Sequence, residues 1–166
     1  MKKIIRALRK FVIGDSREES LSNYFTDIIS RNLDKKVLDI IDLGSGFNPN
    51  LMILTSKNLK NLGYDVNLFC FDYYSQLQIN ELEKKFPMVT FKNLETYSLK
   101  KRFDLGIISD VLHHIGVEDK NVMIETINNL TKKTNLILIK DHFEYSYMSR
   151  QILRFMDFIG NYKDSV

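Results

Sequence analysis

Four apolar runs in the chain each close on an aspartate: Val37–Asp42, Val66–Asp72, Leu105–Asp110 and Leu136–Asp141. Runs of this length, rich in β-branched residues, mark strands buried on both faces of a parallel sheet. Between them the apolar period becomes helical. Asn48 and Pro49 are placed as an N-cap and first-turn proline, and Gly63 as a stop, predicting a helix over 49–62. Ser75 and Gln78 have capping-box spacing, and Pro87 ends the helix that follows. A short third strand is predicted over 88–92, a fourth over 103–109 and a fifth over 135–140. Between the last two lies a helix over 119–132, with Val122, Met123, Ile127 and Leu130 on its apolar face.

Two helices precede the sheet. Residues 2–12 set Ile4, Ile5, Leu8, Phe11 and Val12 against Lys2, Lys3, Arg6, Arg9 and Lys10. This basic face reads as solvated before it reads as a membrane or nucleic-acid contact. A second helix follows Ser16 and Glu19, again a capping-box pair, and carries Leu21, Tyr24, Phe25, Ile28 and Ile29. A last helix over 146–159 shows Met148, Ile152, Phe155, Met156 and Ile159, and stops at Gly160-Asn161. Alternating strands and helices predict a doubly wound α/β fold with right-handed crossovers. It is read as one domain: helices over 1–36, an α/β core over 37–141, and a helix and tail over 142–166.

Composition narrows this little. The length of 166 residues suits one domain, and the net charge of +3 is too small to argue for nucleic acid. The single cysteine, Cys70, lies inside a strand as a core residue. No disulfide framework can form, which suits a reducing cytoplasm. The apolar runs are shorter than a membrane span, and the N-terminal residues lack a secretory signal pattern.

The chemistry concentrates where strands end. Ligands of open parallel sheets bind outside the carboxyl ends of the strands. Asp42-Leu43-Gly44-Ser45-Gly46 sits between a strand and a helix, where glycine permits a tight turn under a ligand. A dinucleotide fingerprint would need a third glycine, and that position is Pro49. An acid directly before the turn disfavours pyrophosphate and favours a cation. Asp72 ends the second strand, where an acid takes ribose hydroxyls. A nucleoside with cationic groups and no phosphate suits both acids, and S-adenosyl-L-methionine is such a ligand.

Val37–Gly46, Asp72 and Phe103-Asp104 through Ser109-Asp110-Val111-Leu112-His113-His114-Ile115 resemble successive motifs of the class I S-adenosylmethionine-dependent methyltransferases. The likeness covers about residues 37–141. It implies a Rossmann-like, mostly parallel sheet of about five strands. It also implies that Asp42, Gly44, Ser45 and Gly46 hold the methionine part and Asp72 the ribose. Asn93, Leu94 or Glu95 would face the adenine, and Asp110 and Val111 would floor the pocket near the methyl. Tyr73-Tyr74 could flank the adenine or simply fill core. Methyl transfer from a sulfonium needs alignment and exclusion of water, and a base only where the acceptor loses a proton. His113, His114 and His142 follow strand ends, and His113 and His142 are the chosen catalytic candidates. They could equally begin a surface helix. A metal site of these three is disfavoured, because adjacent residues seldom turn both rings to one ion.

The acceptor is read as a small molecule. Two other readings stand beside this one. Strand-end acids with Lys140 faintly resemble a receiver domain, in which acids hold Mg²⁺ and an aspartate accepts a phosphoryl group. A methyltransferase-like domain could also bind partners without chemistry. Class I enzymes typically carry two further strands after the fifth, and only 25 residues follow Asp141. The expectation is a chain lacking that ending, with an apolar fifth-strand edge that self-associates or is covered by a terminal helix.

Overall fold

A computed structural model describes residues 15–94, 101–112 and 120–141. The elements expected over 2–12 and 146–159 lie outside these residues. The described chain runs α1 (Asp15–Asn32), β1 (Val37–Leu43), α2 (Asn50–Asn61), β2 (Asp65–Asp72), α3 (Gln76–Lys85), β3 (Val89–Asn93), β4 (Phe103–Ser109), α4 (Lys120–Thr131) and β5 (Thr134–Lys140).

The five strands form one parallel sheet in the order β3-β2-β1-β4-β5. This is the doubly wound order that reverses beside β1. The receiver reading fails here, because receiver domains follow the order 2-1-3-4-5. The two faces of the sheet bury separate clusters. On one, Phe25 and Ile29 of α1, Met52 and Leu59 of α2 and Leu82 of α3 meet Leu38, Ile40, Cys70, Phe91 and Ile107. On the other, Leu130 and Ile127 of α4 meet Ile41, Leu43, Phe71, Phe103 and Ile108. Residues on β1 therefore alternate between faces, and Asp42 shares its parity, and so its face, with Leu38 and Ile40.

Several local expectations need correction. The cap of α2 is Pro49, with no side-chain cap bond, so Asn48 is not the N-cap. Ser16 lies within α1 rather than before it. The buried stripe of α1 includes Ser22 and Thr26 rather than Tyr24, which is 61% exposed. The reason is its partner: Asn58 of α2 donates to Ser22 Oγ at 2.9 Å, and small side chains let the two helices approach. Val122 faces outward at 47% exposure, while Leu130 anchors α4. By contrast, the capping box of Ser75 and Gln78 is present, and the Gly63 N–H bonds to Lys60 O at 2.9 Å, closing α2.

The opposite, N-terminal pole of the sheet is tied by ion pairs. Buried Asp104 accepts from Lys35 Nζ at 2.9 Å and from the Asp39 N–H at 2.9 Å. Asp39 in turn accepts from Asn67 Nδ2 and pairs with Lys101, each at 2.9 Å. Burial opposes ionisation of Asp39, but the bonds from Lys101 and Asn67 and the charges of Lys101 and Lys35 together hold its carboxyl below the usual range.

Candidate functional site

The turn after β1 is built by its glycines and by its neighbours. Gly44 and Gly46 take left-handed backbone (φ 74° and 58°). A side chain at Gly44 would also lie 2.3 Å from Val111 Cγ2, so only glycine fits beneath the β4 loop. The Gly44 N–H bonds to Phe71 O at 2.7 Å, tying the turn to the end of β2. Asp72 tightens it further. Its Oδ2 accepts from the Gly46 N–H at 2.8 Å and its Oδ1 from the Tyr73 N–H at 2.7 Å. Tyr74 donates its hydroxyl to the Gly46 carbonyl and lies 2.7 Å from Ser45 Oγ.

The strands on the other side of the reversal are joined in the same way. The Asp110 N–H bonds to Lys140 O at 2.8 Å, the Leu112 N–H bonds to Asp141 Oδ2 at 2.6 Å, and Lys140 Nζ pairs with Asp110 Oδ1. Asp110 itself holds φ 58°, a left-handed value that Asp tolerates better than most side chains.

Between the two lies a cavity of about 180 Å³, walled by Glu18, Leu21, Asp42, Gly44, Ser45, Asn48, Leu51, Ser109 and Asp110. It stands at the carboxyl ends of β1 and β4, where the strand order reverses. Three acidic residues, Glu18, Asp42 and Asp110, line this small space. Asp42 is buried, and no hydrogen bond or ion pair to its side chain is present among the described residues. Burial, and then the charge of Asp72, push its pKa up to about 7. Such a group lacks a cation, and a cationic ligand would supply one.

Of the residues singled out from sequence, Asp42, Gly44, Ser45 and Asp110 meet around this cavity. Gly46, Asp72, Tyr73, Asn93 and Leu94 form a hydrogen-bonded cluster beside it. Asn93 Nδ2 donates to Tyr74 O at 2.6 Å, and the Leu94 N–H to Asp72 O at 2.8 Å. Tyr73 stands 66% exposed, and its neighbour Tyr74 is buried. Val111 packs over Gly44. Glu95, His113, His114 and His142 lie outside the described residues. Glu18, Leu21, Asn48, Leu51 and Ser109 were missed. Asn48 and Ser109 adjoin recognised motifs and could have been found by that proximity. Nothing in the sequence places α1, and so Glu18 and Leu21, over the turn. Among the described residues no group of His, Cys, Asp and Glu is arranged to hold a metal ion.

Comparison with known proteins bears on the fold. No protein-family model matches the chain, and no curated protein matches it in sequence. Among solved structures it is similar to the plantazolicin methyltransferase BpumL in complex with a triazolic desmethylPZN analog and SAH. That match has 19% identity and a TM-score of 0.57, covering 83% of this chain and 52% of the other. BpumL in complex with SAH matches at 18% identity and a TM-score of 0.54, over 83% and 52% of the two chains. YjhP from E. coli matches at 14% identity and a TM-score of 0.50, over 80% and 54%. The chain thus spans about half the length of these structures. At these identities the likeness is one of fold.

Proposed function

We propose, from its class I methyltransferase fold and its acidic cavity, that this chain binds S-adenosyl-L-methionine and transfers its methyl group to a small-molecule acceptor in the cytoplasm. The observation that carries the reading is Asp42, a buried carboxylate without a cationic partner among the described residues, beside a glycine turn at the reversal of strand order. The residues fit a ligand with an ammonium and a sulfonium, and they disfavour a pyrophosphate. When bound, S-adenosylmethionine supplies a methyl group already activated by positive sulfur.

In this reading Asp42 and Ser45 hold the ammonium, and Gly44 and Gly46 keep the turn low enough for the ligand to lie on it. Asp72 spends one lone pair of each oxygen on a backbone N–H and keeps the others for ribose hydroxyls. Tyr73, Asn93, Leu94 and Glu95 border the adenine. Asp110 and Val111 form the floor below the methyl, with Lys140 balancing the Asp110 charge. His113 and His142 are the candidate general bases where the acceptor is a hydroxyl. The β5 edge takes a covering partner, either a second copy or a segment outside the described residues. No described helix is long and apolar enough to cross a membrane.

Calorimetry with S-adenosylmethionine tests the assignment. Asp42→Asn and Asp72→Ala should each weaken binding about tenfold or more, as loss of a charge-assisted hydrogen bond does. Equal binding by wild type and both variants would remove these acids from the site.

A further inference from the structure

The hydroxyl of Tyr74 touches two oxygens, and it has one proton to give. The Gly46 carbonyl can only accept, so the phenolic proton goes there. The 2.7 Å contact between Tyr74 and Ser45 must then carry the proton of Ser45, donated to the phenol oxygen. Ser45 also borders the Cys70 thiol, but sulfur is a weaker acceptor than the phenol. Ser45 is one of the residues that line the cavity, and its oxygen is left with lone pairs alone for any further partner. The arrangement holds across ordinary pH. Tyr74 is 2% exposed, wedged at edge-on angles against Phe91 and Phe47, and burial pushes its phenol further from ionisation.

We propose that Tyr74 is a positioning residue that commits the Ser45 hydroxyl proton, so that Ser45 meets the ligand only as a hydrogen-bond acceptor. Once a cation has ionised Asp42, the turn then offers acceptors alone from its Asp42 and Ser45 side chains. It selects the ammonium of the amino-acid end and discriminates against a carboxylate in that position. The inference deepens the donor-binding reading and rests on it.

Two ligands separate the effects: S-adenosylhomocysteine, and 5′-methylthioadenosine, which lacks the amino-acid end. Tyr74→Phe keeps the ring in its aromatic cluster and removes one hydroxyl. It should weaken S-adenosylhomocysteine about five- to tenfold, the effect of one hydrogen bond, and leave 5′-methylthioadenosine within about twofold. Ser45→Ala, which leaves the Tyr74 bond to the Gly46 carbonyl in place, should show the same pattern. The double variant should be no weaker than Ser45→Ala, because Tyr74 acts through Ser45. Equal losses for both ligands in Tyr74→Phe would mark a purely structural hydroxyl and overturn the proposal. So would unchanged S-adenosylhomocysteine binding by Ser45→Ala, even if Tyr74→Phe failed to fold. A wild-type protein that binds neither ligand would instead overturn the donor site itself, and this inference with it.

Discussion

At the scale of single residues, Asp42 and Gly44 carry contrasting demands. Asp42 has a native pKa near 7 against an ordinary 3.8, so the folded chain keeps a proton that the unfolded chain releases. Its contribution to stability therefore falls as pH rises between about 4 and 7, and then levels. Asp42→Asn should flatten that part of the melting-temperature profile and raise the midpoint at about pH 8, while weakening the donor. A cation favours the ionised form, so donor binding near pH 6 to 7 should release a proton. Calorimetry in buffers of different ionisation enthalpy reads this directly; no proton release would place Asp42 away from the ligand's charge. Gly44→Ala combines a left-handed φ with a 2.3 Å approach to Val111. It should cost about 2 kcal/mol or more in denaturant unfolding, and Val111→Ala in the same chain should recover the part due to the clash.

At the scale of elements, the sheet has two poles with different work. The N-terminal pole is held by Asp104, which receives Lys35 and the Asp39 N–H. Asp104→Ala should cost about 1–3 kcal/mol by orphaning that N–H, with donor affinity unchanged, because the cavity is at the other end. A change in affinity would mean that the two poles are coupled. Helix starts and stops were readable where the signal is local: Ser75 caps α3, and Ser75→Ala should cost about 1 kcal/mol in thermal unfolding. They were misread where packing intervenes. Tyr24 and Val122 satisfy a helical period yet face outward, because what α1 meets is the polar, close-fitting side of α2 and what α4 meets is the sheet through Leu130.

For the molecule as a whole, strand order decides where the cavity forms. Winding outward from β1 in both directions opens a crevice only at the reversal, and both flanking turns are tied there by backbone bonds. The outermost strand on one side, β5, is half-buried and pairs only with β4 among the described strands. A covered edge should protect from hydrogen exchange the β5 amides that point away from β4. Protection that grows with protein concentration would identify a second copy as the cover, and concentration-independent protection a segment of the same chain. Fast exchange of these amides would refute a covered edge.

The sequence by itself determined the strands, their parallel class and most members of the glycine turn, because these depend on short-range patterns: apolar runs, capping residues and glycines between strand and helix. It also supplied Asp42 and Asp72 as acids at strand ends. Only the tertiary structure decided their states. Asp42 meets no cation among the described residues and is buried on the face of β1 that α1 and α2 cover, and Asp72 is already partly satisfied by the turn it holds. The role of Tyr74 follows from a hydroxyl within reach of both Ser45 and Gly46, which lie 29 and 28 positions away. Burial, charge balance and proton direction are properties of groups brought together from distant positions, and no local pattern encodes them.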